Sequence, residues 1–324
     1  MTAKSALLLA AALLLVTVVF AIDADLQTAI DFDAGLKQVR EGELGMPLEL
    51  AETIDNLTVK LQWAYADAER ITVAYTIGGE GSLDSPAFNY ASENVVLTDP
   101  AGDPFEGAGG IGYTGMGEDA LFVMSFDTSK VEDLPDELDL TLSMNVQFMT
   151  ADRWATIEAQ PTPGPETTPE VSADREFPSP YEGSAGTFEF EFRVPVHASR
   201  VVEIDQSVTD QDVEITLERA VIAPSRTRLE LCFEAPEERS GGWAVIPFLS
   251  IEGSSLMLEN PPVAPGDDPI EGTNCRSLIY NAALGERPGE WELRITELVG
   301  FGDTGSDQVR VAGDWTFTFE VEAE

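Results

Sequence analysis

The sequence predicts an all-β protein: two tandem immunoglobulin-like β-sandwiches that follow an N-terminal apolar helix. Three observations support this fold class. Apolar and polar residues alternate along most of the chain, clusters of Gly, Pro and Asp separate the alternating runs, and similar runs recur in the same order. The 324 residues suffice for two domains of roughly 150 residues each. With 43% apolar residues, each domain can build a core.

The first 22 residues predict a membrane anchor or a signal peptide. An unbroken apolar run begins at Ala6 and ends at Ile22, with Lys4 before it and Asp23 after it. This order of charges places everything after Ile22 outside the cytoplasm. The run is long enough for a short spanning helix, while the small residue Ala21 suits cleavage of a signal peptide. We expect an extracytoplasmic protein anchored by one helix, with secretion after cleavage at Ala21 as the alternative.

The next stretch, residues 23–43, is predicted to be a tether or a short helix, and within it residues 33–43 are expected to form one short amphipathic helix or a solvated tether. From there onward the apolar pattern has a period of two, which is typical of half-buried strands. The run from Leu57 to Tyr65 places every second residue, including Trp63, on one inward face. After a turn, residues 71–77 repeat the pattern. Further strands are predicted at residues 93–98, 121–126 and 137–148.

An internal repeat indicates how the strands are divided between the two domains. Four blocks align in the same order: residues 57–64 with 213–220, 70–75 with 228–233, 135–142 with 288–295, and 187–192 with 316–321. The offset rises from 156 to 158 between the first two blocks, so the turn at Pro224 is predicted to be two residues longer than its counterpart. At the last block the offset is 129.

The last aligned block makes residues 187–192 the closing strand of the first domain. The Pro-rich segment 160–184 then becomes a long loop within that domain rather than a linker between the two. The three phenylalanines of residues 187–192 also need a core to fill. The predicted domains are therefore residues 44–198 and residues 199–324, and each has about seven strands, as in an immunoglobulin-like sandwich.

The charge excludes several classes of function. Lys and Arg total 18 against 59 Asp and Glu, which gives a net charge of −41. Such a chain repels phosphate backbones, so we expect no nucleic-acid partner. One His and two Cys are too few for a three-histidine zinc centre or a four-cysteine cluster, and a Ser-His-Asp triad would require the single His. We expect no enzymatic activity and no cofactor, and contact with a membrane only through an uncleaved apolar run.

The two cysteines, Cys232 and Cys275, are predicted to form a disulfide because the chain is expected outside the cytoplasm. A bridge that closes a loop of this length contributes ~4 kcal/mol in the chain-entropy description. Cys232 shares a strand face with Arg228 and Glu230, opposite the apolar face. The disulfide should therefore lie on the outside of the sheet, with two free thiols as the alternative.

Pairs of acidic residues are weak candidates for a calcium site, because hard cations need several convergent oxygen atoms. None has the spacing of a calcium-binding loop, and so many carboxylates produce pairs by composition alone. We expect solvated turns and no metal. The pairs are Asp99 with Asp103, Asp267 with Asp268, and Asp303 with Asp307.

Two segments resemble a known family. Residues 59–77, with the turn Ala-Asp-Ala-x-Arg-Ile at residues 66–71, resemble the early strands of the bacterial extracytoplasmic family called domain of unknown function 4179. Residues 188–236, with Pro-Ser-x-Thr-Arg at residues 224–228, resemble the immunoglobulin-like module that follows it. The resemblance implies the outer part of a protein related to membrane-anchored anti-sigma factors. It implies no catalytic residues. Since five residues precede the apolar run, we expect no cytoplasmic domain that binds a sigma factor.

The predicted function is a non-enzymatic extracytoplasmic protein that senses or binds a protein or a surface ligand. The alternative is a secreted carbohydrate-binding or hydrolytic protein with an acidic surface that binds calcium. Sugar binding needs exposed aromatic rings, and the candidates for exposure are Trp154, Tyr181 and Trp243. The single histidine, His197, is expected to be structural or exposed rather than a catalytic base.

Overall fold

The computed structural model describes residues 24–55, 57–79, 90–114, 119–131, 133–148, 183–234, 236, 242–252, 254–255, 275–280, 284, 287–302 and 308–323. The predicted N-terminal helix, most of the Pro-rich loop 160–184, Trp154, Tyr181 and the acidic residues Asp267, Asp268, Asp303 and Asp307 lie outside the described residues. Within these ranges, no helix is both apolar and long enough to traverse a bilayer.

In the part of the chain that the structure describes, two short helices precede sixteen strands, so the fold is all-β as predicted. The helices are α1 (Ala24–Asp31) and α2 (Ala34–Glu41). The first eight strands, which we call unit 1, are β1 (Met46–Ile54), β2 (Leu57–Asp67), β3 (Arg70–Gly79), β4 (Tyr90–Thr98), β5 (Glu106–Thr114), β6 (Ala120–Asp127), β7 (Glu137–Phe148) and β8 (Gly183–His197). The others, unit 2, are β9 (Arg200–Asp210), β10 (Val213–Ile222), β11 (Thr227–Phe233), β12 (Trp243–Ile251), β13 (Ser254–Ser255), β14 (Cys275–Tyr280), β15 (Gly289–Phe301) and β16 (Gln308–Val321).

Unit 1 is one eight-stranded sheet in the order β4-β7-β8-β2-β3-β6-β5, with β1 paired to β2. A short parallel pairing of β2 with β8 joins its two halves, and their apolar faces share one core. Residues 187–192 belong to β8, which pairs with β7 along most of its length. Phe188, Phe190 and Phe192 are buried in this core. The placement of this strand in the first repeat is therefore confirmed.

Unit 2 consists of two four-stranded sheets, in the orders β14-β11-β10-β9 and β13-β12-β15-β16. Both sheets contribute to a second core around Trp291 and Trp315, which are fully buried. Trp243 is 3% exposed and belongs to the same core, so its predicted exposure was wrong. Trp243 is the first residue of β12, and its side chain lies on the buried face of this strand together with Val245.

The strand pairing confirms the order of the repeat but corrects two of its offsets. Leu61 pairs with Tyr75, and Leu217 pairs with Leu231, so both strands of the hairpin align at 156 and the two turns have the same length. The pairings of β7 with β8 and of β15 with β16 give the offset of the last strand in the same way. When β7 is aligned with β15 at an offset of 153 residues, β8 aligns with β16 at an offset of 125 residues. An alternating pattern matches itself after any even shift, so the sequence pattern alone is equally compatible with the incorrect offsets of 158 and 129 residues.

A β-bulge corrects the predicted face of two aromatic residues. The register shifts between Leu61 and Trp63 in β2, which places an extra residue opposite β3. Leu61 therefore faces the core of unit 1, whereas Trp63 and Tyr65 face the opposite side of the sheet. Both rings are buried there, stacked with their centroids 6.2 Å apart.

The two helices bury these rings. Leu26, Ile30, Leu36 and Val39 form a third apolar cluster with Trp63, Tyr65 and neighbouring side chains of β3 and β6. The Asp33 side chain caps α2 by accepting hydrogen bonds from the backbone of its first turn, and Arg40 pairs with Asp31 to join the helices. The segment is thus two packed helices. The short amphipathic helix expected at residues 33–43 is present as α2, whereas α1 was not predicted and the alternative of a solvated tether was wrong.

The strand β5 was not predicted. Its sequence contains four glycines, which the pattern indicates as a turn region, yet it pairs with β6 along its length. The fold tolerates them because β5 lies at the end of the described sheet, where Gly107 has open space around it.

Candidate functional site

The two units meet through two hairpin turns at equivalent positions of the repeat. The turn between β2 and β3 contains Asp67, Glu69 and Arg70, and the turn between β10 and β11 contains Ser225 and Arg226. All five residues are at most 7% exposed. Charged residues are rarely buried to this degree unless they are paired, so the junction is the candidate site that the structure offers.

The carboxylate of Asp67 is the centre of the junction. Its Oδ1 accepts hydrogen bonds from the backbone N–H groups of Glu69 and Arg70, at 2.9 Å each. Its Oδ2 accepts from the Tyr65 hydroxyl at 2.6 Å, from the Ser225 hydroxyl at 2.6 Å and from the Ser225 N–H at 3.1 Å. Five donors therefore satisfy one fully buried carboxylate, and two of them come from unit 2.

Arg70 connects three parts of the molecule. Its Nε donates to the Ser225 hydroxyl and its Nη2 to the Ser225 carbonyl, both at 3.0 Å. Its two terminal nitrogens also hold Asp33, at 2.7 and 3.1 Å. Burial opposes the charged form of Asp33, but Arg70 and the N–H of Leu36 outweigh burial and hold the pKa of this carboxyl below 3.8. The helices, unit 1 and unit 2 are thus tied together at one guanidinium.

A second chain of ion pairs leads outward from Glu69. Arg228 of unit 2 binds both carboxylate oxygens of Glu69 at 2.9–3.2 Å and also contacts Glu230. Arg219 in turn binds Glu230 at 2.6 Å. Burial raises the pKa of Glu69, although the contact with Arg228 acts against this. This chain runs from the buried junction to the surface of unit 2.

Arg226 completes the charge balance of the junction. It lies near Glu69, Asp33 and Asp67, whose charges favour its protonated form. Burial lowers its pKa, and the neighbouring positive charge of Arg70 lowers it further. Its Nε atom has no hydrogen-bond partner among the described residues.

The arrangement of Ser225, Asp67 and Tyr65 superficially suggests a nucleophile beside a base. However, Ser225, Asp67 and Tyr65 are each 0% exposed. A nucleophile has to reach its substrate, and the hydroxyl of Ser225 is already bonded to both Asp67 and Arg70. The group is therefore built to hold two units together rather than to attack a substrate.

A cleft of about 390 Å³ opens beside this junction. One wall is formed by β5, β6 and the turn after β6 in unit 1, and the other by the outer faces of β10, β11 and β14 in unit 2. Several of its charged side chains form ion pairs: Lys130 with Glu106, and Arg219 and Arg228 with Glu230. The cleft thus presents both signs of charge to a ligand.

Cys232 and Cys275 are joined by a disulfide in the structure. They are directly opposite each other in the pairing of β11 with β14. Both are partly exposed, while Leu231 and Phe233 beside Cys232 are buried, so the bridge lies on the outer face of the sheet, as predicted. Cys275 lines the cleft.

Asp99 and Asp103, one of the weak metal candidates, form a self-contained turn. Asp99 Oδ1 accepts the backbone N–H groups of Ala101 and Asp103, and the Asp99 N–H donates to the Asp103 carbonyl. In this turn the Asp99 side chain stabilises the local backbone, which is an ordinary role for an aspartate in a loop. His197 stacks on Tyr65 and contacts the Leu44 carbonyl at 2.7 Å, so it is part of the packing at the junction.

Sequence reasoning missed the junction. The sequence predicts turns at residues 66–71 and 224–228, but each has the composition of an ordinary charged loop. The feature that could have indicated the junction is the position of the two turns. Each connects the same pair of strands of the repeat, β2 with β3 in one unit and β10 with β11 in the other. Nothing in an alternating pattern, however, shows that two turns in different units touch.

No family model matches the chain, and no curated protein matches it either. Solved structures do match. One is the crystal structure of the conserved domain protein from Bacillus anthracis, which is 12% identical with a TM-score of 0.55 and covers 86% of this chain and 92% of its own. At this identity the likeness shows the fold alone, and its coverage includes both units. The resemblance to domain of unknown function 4179 stays a prediction.

Proposed function

We propose that this protein is a non-enzymatic, extracytoplasmic interaction or sensing protein in which two immunoglobulin-like β-sandwiches act as one body. The observation that carries the proposal is the buried junction of Asp67, Arg70 and Ser225. Location outside the cytoplasm is supported by the charge order around residues 6–22 and by the Cys232–Cys275 disulfide.

The energetics of burial favour a fixed arrangement of the units. If the units separated, Asp67 would lose two of its donors and Arg70 would lose both contacts with Ser225. Breaking a buried charged network in this way typically costs several kcal/mol, about 3–5 for removal of one partner. A protein that binds through a surface shared by two units needs this fixed geometry, because the two halves must be presented together.

The cleft is the surface on which the proposal centres. It takes residues from both units, and its exposed charges have both signs. Charged rims of this kind steer and align a protein partner, and they make association dependent on salt. The rival function, carbohydrate binding, has no comparable support, because Trp63, Trp243, Trp291 and Trp315 are at most 3% exposed in the described residues.

The test is a binding screen of residues 24–324 against extracytoplasmic proteins and glycans, run in parallel with two variants. Ser225→Ala removes the hydroxyl that bridges Asp67 and Arg70, whereas Ser207→Ala removes an exposed hydroxyl on β9 that bonds only Thr216 in the described structure. We expect saturable binding of one protein partner. Its affinity should fall about tenfold or more for Ser225→Ala, because the two units that form the cleft are no longer held in one arrangement, and should be unchanged for Ser207→Ala.

Two results would contradict the proposal. If Ser225→Ala keeps its fold by circular dichroism and binds the partner as tightly as the parent protein, the fixed junction is not needed. If the screen yields saturable glycan binding and no protein partner, the carbohydrate-binding alternative is correct. A C-terminal reporter that is active only outside the cytoplasm tests the location of the full chain independently.

A further inference from the structure

We infer that reduction of the Cys232–Cys275 disulfide creates a binding site for a soft or borderline divalent cation such as Zn²⁺, with Cys232, Cys275 and Glu218 as its ligands. The sulfur atoms and a carboxylate oxygen of these three residues all lie within 4.8 Å of one another. The proposal does not depend on the identity of the binding partner proposed above.

The position of Glu218 follows from the fold. The register of β10 shifts between Leu217 and Arg219, as it does at the equivalent point of β2. Glu218 is the extra residue of this bulge, and bulges commonly redirect a side chain at functional positions. Its Oε1 lies 3.2 Å from the Cys232 sulfur, on the side of the sheet that faces the cleft.

The backbone can hold both sulfurs after the bond opens. Cys232 and Cys275 are directly opposite in antiparallel strands, where side chains stand side by side. Two thiolates bound to one tetrahedral zinc ion at about 2.3 Å are separated by roughly 3.8 Å, which neighbouring cross-strand side chains can span. The strand pairing itself is secured by the buried residues Leu229, Leu231 and Leu278.

The ligand chemistry selects the ion. Two thiolates favour zinc and other soft or borderline cations over calcium and magnesium, and the carboxylate is an ordinary third ligand. Three protein ligands leave a fourth position open, and the cleft allows water or a partner's side chain to occupy it. The net charge of −41 raises the concentration of cations near the surface.

Formation of the site is a two-electron step. A dithiol reductant attacks one sulfur, and after exchange it closes its own disulfide, losing two electrons and two protons. Each Sγ of the protein gains one electron and one proton and becomes a thiol. Binding of the cation then releases these two protons, because the ligands are thiolates. In the oxidised protein neither sulfur carries a charge, so the site is absent.

The experiment uses Co²⁺ as a probe whose absorption reports sulfur ligation, and Zn²⁺ as its competitor. The protein is reduced with a phosphine, which leaves as the phosphine oxide after taking its oxygen from water, and is then desalted without air. We expect one Co²⁺ per reduced chain with sulfur charge-transfer bands, displaced by Zn²⁺, and protection of both cysteines from alkylation. Oxidised protein and the double variant Cys232→Ser/Cys275→Ser should show neither.

A matched pair of variants tests the third ligand. Glu218→Gln should weaken Co²⁺ binding by about tenfold or more, while Glu214→Gln, on the same strand and exposed, should leave it unchanged. Equal binding by Glu218→Gln and the parent protein, or equal binding by oxidised and reduced chains, overturns the proposal. So does loss of the β-sheet signal in circular dichroism upon reduction, because the site needs β11 and β14 paired.

Discussion

Two equivalent hairpins, β2–β3 and β10–β11, have the same strand pairing, but the outer face of the first is apolar and that of the second is charged. In both, a bulge at the same position of the repeat turns the next residue to the outer face: Trp63 opposite Ala74 in one, Arg219 opposite Glu230 in the other. The apolar face is buried by α1 and α2, whereas the charged face remains open and carries the disulfide. The fold thus determines which positions face outward, and the side chains determine whether such a face is covered.

The largest expected effect compares these two positions directly. Trp63→Ala should destabilise the protein by about 3–5 kcal/mol, because it leaves a cavity between the helices and the sheet. Arg219→Ala should cost less than about 1 kcal/mol, since its side chain is 44% exposed and its ion pair with Glu230 is screened. Urea unfolding of both variants measures the difference. Similar losses at the two positions would mean that the helices do not cover Trp63.

The second prediction concerns only the open face. Replacing both Cys232 and Cys275 by Ser should cost unit 2 about 4 kcal/mol, because the unfolded chain regains the freedom that the bridge removes. Among the described residues unit 1 contains no cysteine, so amide exchange should accelerate in β10 and β11 while β2 and β3 keep their protection. Equal acceleration in both hairpins would show that the units unfold together.

The third prediction tests whether α2 packs closely against unit 2 at the junction. A Cβ added to Gly35 would lie 1.7 Å from the Ser225 carbonyl oxygen of unit 2. Gly35→Ala should therefore force α2 away from the junction and cost roughly 1–3 kcal/mol. Gly107→Ala on β5 is the control, since nothing lies within 4 Å of its added Cβ. Thermal unfolding of the pair distinguishes a steric effect at the junction from a general effect of replacing glycine.

The smallest effect is the pH dependence of the junction. Because the pKa of Asp33 is held below 3.8, its contribution to stability is complete above that value and is lost as the pH falls through its folded-state pKa. The free-energy difference between the parent protein and Asp33→Asn should therefore shrink in acid.

Glu69 is the control of opposite sign. Burial raises its pKa above 4.5, so its contribution is greatest in acid and declines as the pH rises through its folded-state pKa. Unfolding of Asp33→Asn and Glu69→Gln across the acid range measures both slopes. Parallel slopes for the two variants would contradict the opposite shifts of these carboxyls.

Much of the fold could be predicted because burial imposes a period on the sequence. Alternation identified β2, β3, β7 and the three phenylalanines of β8, and it placed Cys232 on the outer face. The same period concealed the register, since a shift of two residues preserves every inward position. The glycines of β5 carry no side-chain pattern at all, so this strand became visible only through its pairing with β6.

Alternation along the chain is enough to predict strands around two apolar cores, because each half-buried strand must bury every second side chain. The place of the candidate site depends on tertiary contacts that no strand pattern predicts. The bulges turned Trp63 and Arg219 to their outer faces, and the docking of two turns brought Asp67 within 2.6 Å of the Ser225 hydroxyl. The physical reason is that these contacts join residues far apart in the chain, where no local pattern of hydrophobicity records the partner.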